Sequence, residues 1–160
     1  MEGAQRPESG GLWSAKDGVS YWLIIGSVYL AQLALWYYSA KGKVLDDGFS
    51  APEGIIAQFD GSFIASFPGT DVAWGLLGIV EALAFLCVVA SLVMGEFLPG
   101  RAKPVLQTAL GVGIVSFALM IFGSSMTSSH ESVASLYTYF GATLVMLFYV
   151  RYLASPRKVD

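Results

Sequence analysis

Apolar positions fall into four long runs separated by polar breaks, at about 21–40, 72–94, 104–125 and 133–153. At ~1.5 Å rise per residue each run can cross roughly 30 Å of hydrocarbon as a helix. Each mixes Gly, Ser or Thr among its Leu, Val, Phe and Ala, as where helices pack closely in lipid. The pattern predicts an all-α fold: an integral membrane four-helix bundle forming one domain over 21–153, with polar tails at 1–20 and 154–160. The first run follows a polar tail and ends in Tyr37-Tyr38-Ser39-Ala40-Lys41, without a small-x-small cleavage site. It therefore reads as a retained helix rather than a signal peptide.

The breaks carry patterns of their own. The first, 41–71, is too long for a simple turn. Within it Ser50-Ala51-Pro52-Glu53 has the spacing of a capping box. Ile55, Ile56, Phe59, Phe63 and Phe67 then recur at helical spacing, an apolar stripe broken on other faces by Glu53, Asp60 and Ser62. A short amphipathic helix on the outer membrane surface, or folded over the bundle, would bury that stripe. Gly61 and Pro68-Gly69 limit its length. Such an element serves either as a packing lid or as a guide for an apolar ligand such as a quinone. The second break, 95–103, contains Pro99-Gly100 and predicts an antiparallel hairpin of the second and third helices. The third, 124–132, is polar, and its His130 reads as a solvated side chain.

Charge sets the expected orientation. With four spans, Arg6, Lys16, Arg101, Lys103, Arg151, Arg157 and Lys158 share one side, while the other has Lys41 and Lys43 beside Asp46, Asp47, Glu53, Asp60, Asp71 and Glu131. The positive-inside rule then places both termini in the cytoplasm, N-in and C-in. The expected setting is a bacterial plasma membrane. Aromatic residues fit two interfacial belts: Trp13, Tyr21, Trp22, Phe97, Tyr149 and Tyr152 on the inner side, Trp36, Tyr37, Tyr38, Trp74 and Tyr137 on the outer.

Composition agrees with a membrane protein, at 55% hydrophobic residues and 13% charged, with a mean hydropathy of +0.62. Against that background Glu81, alone within the second run, is the chain's most unusual residue. A carboxylate at mid-membrane costs about 2.5–3.5 kcal/mol on insertion scales, so it calls for a partner, a proton or a task. Glu81 lies about 13 Å below the outer end of its helix at the helical rise. The same depth on the other helices reaches Gln32, Ser116 and the stretch from Tyr139 to Thr143. These residues predict a polar layer in which Gln32 bonds Glu81. Glu81 is then either protonated interhelical glue or a proton-exchanging group, with Lys41 or Lys43 as a possible ion-pair partner. The face Trp74, Leu77, Gly78, Glu81, Phe85 would line the site in either case.

Two elements carry a family resemblance. A lysine ends the first helix in Tyr38-Ser39-Ala40-Lys41-Gly42-Lys43, and Gly78-Ile79-Val80-Glu81-Ala82-Leu83 looks like a Gly-x-x-Glu element in the second. The chain in this respect resembles the DoxX/DoxD-like family of small four-helix membrane proteins, although Ala40 or Tyr38 stands where that family has a glycine before its lysine. The resemblance implies membrane redox chemistry, as in thiosulfate:quinone oxidoreductase or other oxidoreductase assemblies of bacterial membranes. Glu81 and one of Lys41 or Lys43 would be its site residues.

Absences narrow the chemistry. One Cys, Cys87, and one His leave no iron–sulfur cluster or bis-histidine haem within this chain alone. No zinc spacing or phosphate-binding glycine loop stands out, so no metal is expected, and Gly111-Val112-Gly113 reads as close helix packing. A sequence pI near 5.0 without a basic patch argues against nucleic acid. The expected role is a cofactorless accessory subunit that docks on other membrane subunits of an oxidoreductase or respiratory complex. The alternatives are a quinone-reactive subunit using Glu81 for proton transfer, and a small transporter or channel made by self-association.

Overall fold

A computed structural model describes residues 16–127 and 130–154. The expected tails up to residue 15 and from 155, with Arg6, Trp13, Arg157 and Lys158, lie outside the described residues, as do Ser128 and Ser129 of the third break. The chain is all-helical: α1 (Lys16–Ala40) runs into a π-helical segment (Lys41–Asp46), followed by α2 (Glu53–Phe59), α3 (Phe63–Ser66), α4 (Thr70–Val93), α5 (Pro104–Met126) and α6 (His130–Ala154). Four helices, counting α1 and its extension as one, are long and apolar enough to cross a membrane. That is the mark of an integral membrane protein.

The first helix exceeds the predicted 21–40 at both ends. Hydropathy falls at Lys41, but nothing in Lys41-Gly42-Lys43-Val44-Leu45-Asp46 breaks a helix as proline would, and the backbone only loosens its pitch. The amide of Asp47 donates to the carbonyl of Gly42 at 2.8 Å, an i to i−5 bond. Left-handed Gly48 (φ 58°) and Phe49 (φ 68°) end the run.

The loop region folds as two short helices rather than one, and the capping box does not form. A residue before proline is pushed away from helical dihedrals, so Ala51 cannot begin a helix ahead of Pro52. Its amide instead donates to Asp71 Oδ1 at 2.8 Å, and Pro52 takes the N-cap position, its carbonyl accepting from Ile55 and Ile56. Left-handed Gly61 (φ 72°) separates α2 from α3, and Ser62 caps α3 by accepting from the amide of Ala65.

The long helices alternate in direction. We call the end that carries 41–71 the upper end and the α4–α5 hairpin the lower. Packing runs from α1 to α4 to α5 to α6, with Gln32 of α1 reaching Met146 of α6. The centre holds Trp36, set against Phe117 at a ring separation of 5.2 Å. A Cβ added at Gly113 would lie 2.6 Å from that indole. Trp36 is fully buried, which removes it from the interfacial belt assigned to it. Around it Ile25, Val28, Ala84, Val88, Leu106, Leu110 and Val150 complete the core.

At the lower end α4 stops in a paired cap. The amide of Gly95 (φ 70°) donates to Leu92 O and that of Glu96 to Ser91 O, the two bonds of a Schellman motif. Pro104 then opens α5 at a position where its missing N–H costs nothing.

Candidate functional site

The buried face of α4 is built from Gly75, Gly78, Glu81, Ala84, Val88 and Ser91, three- and four-residue steps that form one stripe. Trp74, Leu77 and Phe85 flank that stripe half-buried rather than forming it. The two glycines open a channel along which the chain after α1 lies. A Cβ at Gly78 would approach Lys43 Cβ to 3.0 Å, and one at Gly75 would reach Phe49 at 3.4 Å. Close approach and the π-helical pitch together deliver Lys43 to Glu81.

Lys43 Nζ stands 2.9 Å from Glu81 Oε2, with the lysine side chain 10% exposed and the glutamate fully buried. The ammonium also donates to Ser39 Oγ at 3.1 Å and lies 4.6 Å over the Trp74 ring. The contact with Glu81 is an ion pair by distance, but the amine does not aim a proton squarely at the carboxyl. Neither Glu81 oxygen accepts an aligned hydrogen bond from the described residues. Trp74 is itself oriented by Asp47, whose carboxylate accepts from the indole N–H at 3.3 Å. Lys41 takes no part: it pairs with Asp46 at 2.7 Å on the exposed side of the turn.

The other residues of the expected polar layer do not gather here. Gln32 is buried but accepts from the Trp36 indole at 2.7 Å and faces Met146 Sδ, not Glu81. A helix ending at Ala40 would put Gln32 level with Glu81, whereas the helix continues to Asp46. Six more residues set Gln32 about 9 Å too low at the helical rise. Ser116 is buried on the α5 face that carries Gly113 and Phe117, and its hydroxyl has no partner among the described residues. Thr143 is buried and donates to the carbonyl of Tyr139 within its own helix. Tyr139 is half exposed and stacks on Phe117 at 5.9 Å.

Above the ion pair a cavity of about 580 Å³ opens between the loop helices and the upper halves of α4, α5 and α6. This is within the range of small-molecule sites. Ile55, Phe59, Phe63 and Phe67, the expected apolar stripe, form part of its wall with Trp74, Leu77, Met120 and Leu136. Lys43 is the one charged residue in that wall among the described residues. Ile55 and Phe59 are half-buried, whereas Phe63 and Phe67 are largely exposed. The roof is fastened at both ends, by Ala51 to Asp71 on α4 and by Gln58 Nε2 to Thr127 Oγ1 at 2.9 Å beyond α5. Phe59 also rests within 3.5 Å of the space above Gly123.

A second buried polar cluster, at the lower end, was missed by sequence reasoning. Tyr29 Oη meets Ser91 Oγ at 2.6 Å, and Ser91 donates to Glu96 Oε2 at 2.7 Å. The Glu96 carboxylate accepts from the amides of Val105 and Leu106 at 3.0 and 2.8 Å. It thereby caps the positive end of α5. Lys103 Nζ donates to the carbonyls of Glu96, Leu98 and Arg101 and lies over Tyr21. Burial pulls the Lys103 amine below its ordinary pKa, and the nearby Glu96 charge opposes that. The cluster's groups find partners among themselves, so it braces the hairpin and ties α1 to it. A Glu in the turn before a helix that starts with Pro was the available signal.

His130 opens α6 and is exposed. Comparisons with protein-family models, with curated proteins and with solved structures each return no match.

Proposed function

We propose that this chain is a cofactorless membrane subunit that holds an apolar, lipid-phase ligand against Lys43, with Glu81 behind the lysine, within a membrane oxidoreductase or electron-transfer assembly. The observation that carries this reading is the meeting of an apolar cavity with a buried ion pair, through Lys43 in its wall. Polar groups at the base of an apolar pocket orient a ligand that the walls retain. A quinone is a ligand of this kind that a redox assembly would supply, and the Glu81 carboxylate gives the site a group able to take up and return one proton.

The resemblance to the DoxX/DoxD-like family supports the redox setting, and we take Lys43 as the counterpart of that family's lysine because it stands beside Glu81. In this reading both termini are cytoplasmic and the cavity lies in the outer leaflet, its roof formed by α2 and α3. The outward face of α6, the least buried of the four long helices, is where we place contact with other subunits.

Purification from native membranes in a gentle detergent tests the assembly, with mass spectrometry and a visible spectrum of the same sample. Haem- or flavin-containing subunits in stoichiometric amounts are the expected result, and a lone, colourless protein contradicts it. In the intact assembly Glu81→Gln should leave the subunit in place while quinone-linked turnover drops at least tenfold; unchanged turnover removes Glu81 from the chemistry.

A further inference from the structure

The cavity's position fixes where its ligand comes from. Leu76, Leu119 and Phe122 belong to its wall, yet each is more than half exposed and lies within a helix long and apolar enough to cross a membrane. In a bilayer such exposed surface on these helices would meet hydrocarbon, which points to a mouth opening sideways into the lipid. The ligand therefore arrives from lipid, with its chain free to trail back through the mouth.

The ion pair fixes what head that ligand can carry. Lys43 and Glu81 stand 2.9 Å apart as an ion pair, so their opposite formal charges cancel. An anionic head brought to Lys43 would meet an amine already neutralised by Glu81, and its charge would enter an apolar enclosure without compensation. A cationic head would face the amine directly. A neutral carbonyl carries no such penalty and needs a single N–H. The amine has donors to spare: one serves Ser39, and the contact with Glu81 is poorly aligned.

We infer that the cavity sorts bilayer amphiphiles by head charge, accepting a neutral carbonyl-headed chain on Lys43 and refusing an anionic one of equal length, because Glu81 cancels the lysine. This rests on the reading of the cavity as a ligand site. Glu81 is then a specificity-determining residue that acts through Lys43 rather than by touching the ligand.

The test uses the full chain in zwitterionic nanodiscs. Binding of decylubiquinone is read from quenching of tryptophan fluorescence; monodecanoin and decanoate, a neutral and an anionic ten-carbon chain, are then titrated as competitors. For the native protein monodecanoin should displace the quinone, and decanoate should need at least tenfold higher concentration. In Glu81→Gln the uncompensated lysine should tighten decanoate at least tenfold while the two neutral ligands change less than threefold. Decanoate competing equally in the native protein, or failing to gain in a folded Glu81→Gln, overturns the sorting rule. If Glu81→Gln does not fold, Lys43→Gln decides: it should weaken the quinone and leave decanoate excluded, and unchanged quinone binding overturns the rule. Gly123→Leu, which puts a bulky side chain into the cavity wall against Phe59 and Ile64, separates the two levels. Quinone binding that is absent from the native protein, or that persists in Gly123→Leu, rejects the ligand site itself and the sorting rule with it. Binding lost in Gly123→Leu but blind to head charge rejects the sorting rule alone.

Discussion

At the scale of single residues, the site is an exchange of one liability for another. A lone carboxylate or a lone amine in this position would be costly; side by side each offsets the other. Removing one partner should therefore hurt more than removing both. Lys43→Met is expected to lower stability by about 3–5 kcal/mol, whereas Lys43→Met with Glu81→Leu should recover most of that loss. Denaturant midpoints in nonionic micelles measure both, and a double variant no better than the single one would contradict the pairing. Lys41→Met, which disturbs only an exposed pair, should leave the midpoint unmoved. Glu81 was legible as the unusual group because its charge interrupts an apolar run. Which lysine stands beside it was not, since that depends on a change of helical pitch that no residue between Lys41 and Asp46 announces.

At the scale of elements, glycines decide how closely helices and loops approach. Gly78→Ala should cost about 1–3 kcal/mol by pressing on Lys43. Gly111→Ala, with nothing within 4 Å, should be neutral or mildly stabilising because alanine favours helix. Thermal unfolding of the two variants side by side checks the contrast, and equal effects would contradict the close approach at Gly78. At the lower end, Glu96→Gln should cost about 1–3 kcal/mol because it weakens charge-assisted bonds to two amides and a hydroxyl. An unchanged unfolding midpoint would remove Glu96 from the hairpin's support. The four long helices were legible because a bilayer demands continuous apolar length. Their ends and caps were not, because those depend on particular bonds. Ser50 and Glu53 had the right spacing, but Pro52 and the tertiary bond to Asp71 moved the start of α2.

At the scale of the whole molecule, four long helices form a frame, and the upper loop converts one side of it into an enclosure. The stripe from Ile55 to Phe67 was visible in the sequence, but the space beneath it was not, since a cavity belongs to three helices and a loop at once. The two halves of the stripe should behave differently. Phe59→Ser, at a half-buried position against Gly123, should speed proteolysis across 50–69 several-fold. Phe63→Ser, at a position already 66% exposed, should change it little. Equal sensitivity would mean that the roof is not held through Phe59. The central claim, an amphiphile held above Lys43, is tested most directly by native mass spectrometry of the protein released from its own membrane, beside Gly123→Leu. We predict a neutral small molecule bound to the native chain and missing from the variant; a chain that carries nothing, or a molecule retained equally by Gly123→Leu, would contradict the account.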